Sequence, residues 1–388
     1  RHRAGLLRGD GRIGVGDGDR QGEVAEGAGV RTERRQGAVA LVGLPQSGKT
    51  SLFTALTGAE PHREKAGITL GSVKVPDARV DKLSEMYKPK KTTHALIEVV
   101  EAHAPHKVER KASMAALDTG FLNLVRPMDA FLLVVRAFDA EGLNDPRADL
   151  DTLLSELILT DLMLVETRLE RDGLERKKGK PGMPGDEREA LDRCRKLLDN
   201  GQRIYEDANL AACPELRAYA FLSARPILAV VNVGEEDIPK PTAEVLARFR
   251  LPVAGIPSFA CCAKSEGEIQ AMPEEERKEF REMLGVREPV LDIMVREVYL
   301  ALGLVSFLTS GEDECRAWTI RRGTPASRAA AAIHADIEKG FIRAEVIAFD
   351  DFIALGSEAA AKKAGKYRLE GRDYVVQDGD IVHFRSNV

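Results

Sequence analysis

Residues 43–50 read Gly43-Leu44-Pro45-Gln46-Ser47-Gly48-Lys49-Thr50. Types and spacing are those of a G-x-x-x-x-G-K-[ST] phosphate loop. Such a loop turns backbone N–H groups, and the helix N-terminus behind it, toward polyphosphate oxygens. Lys49 then reaches the β- and γ-phosphates, and the Thr50 hydroxyl ligates Mg²⁺. Gly43, Pro45, Gln46, Ser47, Gly48 and Ser51 complete the expected lining of the phosphate site.

The flanking elements suit that chemistry. Ala38–Val42 is an apolar run that reads as a buried strand. Ser51–Leu56 carries apolar residues at helical spacing, with Gly58 as a helix stop. Further strands are predicted at Leu96–Val100, Ala130–Val135, Ile227–Val231 and Val253–Ile256, alternating with helical patterns. That alternation predicts an α/β fold: a doubly wound, mostly parallel sheet with ligands at the carboxyl ends of its strands.

After Ile227–Val231 comes Asn232-Val233-Gly234-Glu235. In P-loop GTPases this place carries N-K-x-D, whose Asp takes two hydrogen bonds from guanine. Glu235 is one methylene longer and cannot keep that bidentate geometry. Val233 stands where a Lys would stack on the base. Asn232 can still bond a base edge, so adenine becomes the expected base.

The chain has 388 residues, 44% hydrophobic and 31% charged, with a net charge of −5. That describes a folded chain of two or three domains and excludes a globally basic nucleic-acid binder. Its longest apolar runs are too short to span a bilayer, and its beginning has no apolar stretch of the secretory kind. Five cysteines without C-x-x-C spacing suit free thiols in a reducing cytoplasm. Adjacent Cys261 and Cys262 read either as a redox pair or as small buried residues. Residues 1–36, rich in Gly and Arg, read as a disordered or artefactual extension. Residues 37–304 read as the nucleotide domain, interrupted at about 145–220 by a helical insertion.

In that insertion Leu150, Leu153, Leu154, Leu157, Ile158, Leu162, Val165 and Leu169 make an apolar stripe. The helix is expected to stop at Glu170-Arg171-Asp172-Gly173. A second helical pattern runs through Leu191, Cys194, Leu198 and Ile204. An antiparallel coiled-coil hairpin follows, read either as a projecting arm or as a packing subdomain. Its tip, Arg176-Lys177-Lys178-Gly179-Lys180, is a basic run, either solvated or touching RNA. Residues 305–388 read as a small mixed α/β module, with strands at Ala317–Ile320, Arg343–Ile347, Asp373–Val376 and Ile381–Phe384 and a helix over Ala326–Lys339. Arg321, Arg322, Lys339 and Arg343 there read as an RNA-facing patch or as ordinary surface charge.

From about residue 38 to the end the sequence resembles the Obg-like ATPases, or YchF family, of the translation-factor class of P-loop GTPases. Gly43-Leu44-Pro45 and Gly48-Lys49 fit that family's loop; Gln46 and Ser47 depart from it. Val75-Pro76-Asp77-x-Arg79-x-Asp81, Asp129-Ala130 through Val135-Arg136-Ala137-Phe138, and Asn232-x-x-Glu235 match its signatures. Cys262-Ala263-Lys264 is similar to its base-closing loop, with Cys for the usual Ser. Arg316–Ile320, Ile333–Ile347, Asp378-Gly379-Asp380 and His383-Phe384-Arg385 resemble its ubiquitin-like (β-grasp) TGS domain. The resemblance implies a monomeric cytoplasmic ATPase with Mg²⁺ and ATP as cofactors and GTP weaker. It implies no membrane partner and association with the ribosome (large subunit or 70S) and ribosomal RNA, in translation and stress responses.

The family's D-x-A-G stands here as Glu101-Ala102-His103-Ala104. Glu101 is expected to hold Mg²⁺ through water, and the Ala104 N–H to meet the γ-phosphate. Thr69 is the candidate switch threonine on the metal. Pro105-His106-Lys107-Val108-Glu109-Arg110-Lys111 replaces the glycine-rich switch. His103 and His106 read as water-positioning groups or as plain loop histidines. Two functions stay open: a slow ATPase with Lys49, Glu101 and Ala104 at the chemistry, or a hydrolysis-deficient nucleotide-binding adaptor for ribosome or RNA.

Overall fold

Residues 37–59, 67–102, 119–138, 145–283 and 288–387 are described by a computed structural model. Strands in chain order are β1 (Ala38–Val42), β2 (Ile68–Lys74), β3 (Lys91–Thr93), β4 (Leu96–Ala102), β5 (Ala130–Ala137), β6 (Ile227–Val233), β7 (Ser258–Cys261), β8 (Leu304–Thr309), β9 (Glu314–Arg321), β10 (Phe341–Ala348), β11 (Arg368–Glu370) and β12 (Asp380–Ser386). The helices that bear on the site are α1 (Lys49–Thr57), α2 (Ala78–Tyr87), α3 (Thr119–Val125), α4 (Pro146–Lys177) and α5 (Gly185–Asp199).

The first sheet has the order β2-β4-β1-β5-β6-β7. Its pairings are parallel except β2 with β4. Parallel strands covered on both faces read as continuous apolar runs, and β1, β5 and β6 do. Side chains alternate between faces: Val39 and Leu41 join one core, Ala40 and Val42 the other. This is the P-loop nucleotide-binding architecture that the alternation predicts. The strand predicted at Val253–Ile256 forms instead at Ser258–Cys261. Gly255 adopts φ +71° and Pro257 offers no ladder N–H, so pairing starts only beyond them.

Helix α4 starts at an Asp145 cap that accepts from the N–H groups of Arg147 and Ala148, with Pro146 behind it. Its 32 residues span about 48 Å. Leu150, Leu153 and Leu157 pack on the sheet. Ile158, Val165 and Leu169 instead face Leu191, Cys194 and Leu198 in a separate small core. The helix therefore has a root in the sheet and a distal half with its own core. It does not stop at Gly173 but continues to Lys177. Buried Asp172 holds that extra turn, accepting from Arg176, Arg188 and the Met183 N–H. Buried Asp161 accepts from the N–H groups of Leu222 (3.1 Å) and Ser223 (2.7 Å), fastening the returning chain to α4. Burial raises its pKa against those bonds.

The second sheet has the order β11-β10-β12-β8-β9-β3. A β8–β9 hairpin with β12 parallel to β8 gives a β-grasp arrangement. Asp373–Val376 is not a strand; an isolated Pro325–Val375 bridge stands there, and the pairing strand is Arg368–Glu370. The helix predicted over Ala326–Lys339 is broken into Ala326–Ala329, Ala330–Ala332 and Ala335–Lys339, the last opened by a His334 side-chain cap.

This sheet is completed from outside its own segment. Strand β3 pairs in parallel with β9, Lys91 opposite Glu314. Val80 and Leu83 of α2 share one buried cluster with Leu308, Cys315, Phe352 and Ile381. Arg79 makes paired contacts to Asp77 (2.9 and 2.8 Å) and to Asp378 (2.9 and 3.2 Å). Gly379 must be glycine for this: a Cβ there, at φ +85°, would lie 2.6 Å from Arg79 Nη1. Gln36–Val388 accordingly form one compact unit.

Because one core runs through both sheets, calorimetry is expected to give a single main unfolding transition. Arg79→Ala lowers stability by about 1–3 kcal/mol, since bidentate charged bonds are lost and Asp77 is left largely buried. Two well-separated transitions in the unaltered chain would contradict this account.

Candidate nucleotide-binding site

The loop between β1 and α1 is shaped by two glycines. A Cβ on Gly43 would lie 2.4 Å from the Val134 carbonyl oxygen of β5. Gly48 sits at φ +89°, where a Cβ would come within 2.0 Å of Asn232 Nδ2. Helix α1 begins at Gly48 with no side-chain cap. Its first N–H groups are therefore the donors a helix normally loses to solvent or a ligand. Ser47 Oγ is buried with no hydrogen-bond partner among the described residues. An anion-binding loop explains all three observations.

Lys49 Nζ donates to the carbonyls of Gly43 (2.9 Å) and Leu44 (2.8 Å), folding back across the loop. Burial lowers its pKa, and the Glu101 charge partly offsets this. Thr50 Oγ1 donates to Glu101 Oε1 at 2.5 Å. Glu101 is buried at the end of β4. Thr69 of β2 is its Cα partner across the antiparallel pair, so the two side chains share a face. A hydroxyl, a carboxylate and a second hydroxyl thus gather beside the loop. All-oxygen ligands are what Mg²⁺ takes, so the expected metal residues fit that ion. Pro45, Gln46 and Ser51 are exposed around the loop, Gln46 with φ +64°.

On the base side, Asn232 is a strut. Its Nδ2 donates to the Ser47 carbonyl at 3.1 Å, and its Oδ1 accepts from the Ala263 N–H at 3.0 Å. One buried carboxamide thus joins the phosphate loop to the start of helix Ala263–Ala271. Glu235 Oε1 accepts from Lys264 Nζ at 2.9 Å, both side chains being largely exposed. Val233 corrects a sequence expectation: it is 4% exposed and packs in the core. It ends a fully buried central strand, so its side chain serves the sheet. Cys262 is likewise a buried core residue at the start of helix Ala263–Ala271. Cys261 is buried beside it, with burial raising its thiol pKa, which removes the thiolate a redox pair needs.

One neighbour was read in the sequence only as the end of a family signature, with no role at the site. Phe138, 36% exposed, brings its Cε1 to 3.7 Å from where a Gly48 Cβ would stand. An aromatic residue directly after β5 was the available signal. Residues 1–36, His103, Ala104, Pro105 and His106 lie outside the described residues.

Residues 304–387 match the family described as YchF-GTPase_C, protein of unknown function (DUF933). The chain is 38% identical over 371 residues to the ribosome-binding ATPase YchF of Bacillus subtilis (strain 168), covering 90% of this chain and 98% of that one. It is 34% identical over 365 residues to Obg-like ATPase 1 of Caenorhabditis elegans, covering 90% and 92%. The chain belongs to the YchF family of Obg-like ATPases. The solved structure of the Schizosaccharomyces pombe YchF GTPase superposes with a TM-score of 0.76 at 30% identity, covering 90% of this chain and 98% of that one. Membership of the YchF family brings the P-loop fold with it. Among the described residues, no helix is long and apolar enough to cross a membrane.

Removing the strut separates the two loops. Asn232→Ala is expected to cost about 1–3 kcal/mol by leaving the buried partners of its amide unpaired. Lys264→Ala breaks an exposed pair and changes stability by under about 1 kcal/mol. Urea melts of the two variants test the order; equal, small losses would contradict the strut role.

Proposed function

We propose that the chain binds ATP with Mg²⁺, GTP more weakly, and hydrolyses it slowly, as a nucleotide-gated factor of the cytoplasm that acts on ribosomes as a monomer. The observation that carries this is the uncapped, glycine-shaped N-terminus of α1, with Lys49 and the Thr50–Glu101 pair beside it. Relatives of this chain are ribosome-binding ATPases by name, which supports the ribosome as partner. Its large subunit or 70S particle and ribosomal RNA are the proposed contacts.

Each residue has a derived task. Backbone N–H groups of the loop and of α1 bind the phosphate oxygens. Lys49 leaves the Gly43 and Leu44 carbonyls for the β- and γ-phosphates, exchanging neutral acceptors for anionic ones. Thr50, Glu101 and Thr69 would hold Mg²⁺, which neutralises charge on the phosphates when bound. Asn232 keeps the phosphate loop and the Ala263–Lys264 segment in register. Glu235, paired to Lys264, is poorly disposed to take two hydrogen bonds from guanine, which favours adenine. Phe138 offers an apolar face at the loop. Residues 37–304 serve as the nucleotide domain and 305–388 as a TGS domain, with Ala104 as a candidate γ-phosphate contact.

The adaptor alternative rests on Ala104 standing for the Gly of the family's D-x-A-G and on residues 105–111 standing where its glycine-rich switch follows. Single-turnover assays with ATP and GTP separate the two. ATP cleavage that Lys49→Ala abolishes supports the enzyme; tight ATP binding without cleavage supports the adaptor.

The pKa of Lys49 gives a pH prediction. Burial lowers it in the free protein, and bound phosphates raise it again, so binding takes up a proton where free Lys49 is neutral. Affinity is then flat below the lowered value and falls as pH rises through it toward the bound value. Titrations of a fluorescent ATP analogue at stepped pH check this; affinity that rises with pH would contradict it.

A further inference from the structure

The nucleotide chemistry gives no task to the basic tip of the helical arm. Helix α4 ends there at Lys177, and the chain turns through residues 178–184 into α5. Hydrogen bonds define the turn. With Gly179 at φ +70°, the Gly179 N–H donates to the Arg176 carbonyl (3.0 Å) and the Lys180 N–H to the Glu175 carbonyl (3.0 Å). That pair of bonds is a Schellman cap. Behind it, buried Asp172 accepts from Arg176 Nε (2.8 Å), the Met183 N–H (2.6 Å) and Arg188. Arg176 Nη2 donates to the Met183 carbonyl (2.9 Å), and a Cβ on Gly182 would collide with Arg176 and Asp172.

Residues 176–181 are all exposed. Three acids near them are already committed: Asp172 to Arg176 and Arg188, Glu175 to Arg171 (3.2 Å) and Glu187 to Arg168 (3.4 Å). Lys177, Lys178 and Lys180 make no ion pair among the described residues. The nearest carboxylates without an ion pair among the described residues lie lower on the arm. Glu170 is seven residues back along α4, about 10 Å from Lys177. Asp186 lies level with residues 168–172, because Met183 and Glu187 on either side of it meet Asp172 and Arg168. That is about 8–13 Å along the helix from Lys177. Both separations reach the Debye length at physiological salt, about 8 Å. Three uncompensated ammonium groups thus stand at the far end of an arm whose distal half has its own core, on a chain of net charge −5.

We propose that the arm tip is an RNA contact, with Lys177, Lys178 and Lys180 on backbone phosphates of ribosomal RNA. The proposal rests on the ribosome as partner and assigns one surface that meets it. Lysine serves phosphate as a point charge, and such contacts position a protein on nucleic acid without reading sequence. An acidic protein partner is disfavoured. Protein interfaces centre on apolar and aromatic anchors and are depleted in lysine. At the tip, Leu174 (56% exposed) is the single large apolar side chain in solvent among the described residues.

The test uses the full chain, purified 70S ribosomes and a photoreactive benzophenone residue in place of Pro181, an exposed position in the turn. Irradiation is expected to link the chain to ribosomal RNA. In co-sedimentation, the triple variant Lys177→Gln/Lys178→Gln/Lys180→Gln is expected to bind about tenfold or more weakly, with its slope of log affinity against log salt reduced by about 2 to 3. The corresponding arginine variant keeps the affinity. Thermal melts and ATP affinity should match those of the unaltered chain in both variants. Absence of a cross-link to RNA, cross-links to ribosomal protein alone, ribosome binding indifferent to the glutamine variant, or a loss that tracks a lowered melting temperature would each overturn the proposal and leave the ribosome as partner. No ribosome binding by the unaltered chain would overturn that partner, and the proposal with it.

Discussion

The candidate site depends on one buried carboxamide. Asn232 hydrogen-bonds the Ser47 carbonyl with one end of its side chain and the Ala263 N–H with the other. These atoms belong to the phosphate loop and to the segment after β7, far apart in the chain. Strand β6 delivers Asn232 to that point through its parallel register, Asn232 standing opposite Arg136 of β5 and Cys261 of β7. Gly48 must lack a side chain because Asn232 already fills that space. Asn232 thus ties the phosphate loop to the segment after β7, and such preorganisation would lower the ordering cost of binding a ligand there.

A similar logic joins the rest of the molecule. Strand β2 places Thr69 opposite Glu101. A few residues beyond its end, Arg79, oriented by Asp77, donates to Asp378 of the β-grasp. The metal-side candidates and the C-terminal sheet therefore lie along one short piece of chain. With β3 completing that sheet, the β-grasp is packed into the nucleotide-binding body rather than tethered to it. The arm is handled differently: its root shares the sheet's core, while its distal half carries its own.

Much of the fold was legible because the central strands are buried on both faces and write themselves as apolar runs. Strand β2 was not, since it lies at the sheet's edge and mixes Thr69, Gly71 and Ser72 among its apolar residues. Gly173 looked like a helix end because the sequence cannot show that Asp172 is buried between two arginines and a backbone N–H. Pro257 and the left-handed Gly255 shifted β7 past the apolar stretch that predicted it. At the site, the loop glycines, Lys49 and Thr50 were readable from spacing alone. The strut role of Asn232 was not, because both its partners are brought near only by the tertiary fold. Val233 and Cys262 were read as base contacts from their motif positions, yet their side chains are spent on packing.

The account's central claim is that this prebuilt loop captures a triphosphate through main-chain donors and one ammonium group. Calorimetric titration of the purified protein with non-hydrolysable ATP and GTP analogues, in the presence of Mg²⁺, tests it most directly. The account predicts a single saturable site for the ATP analogue and a weaker one for the GTP analogue. Absence of binding heat with either, in protein that is folded by circular dichroism, would contradict it.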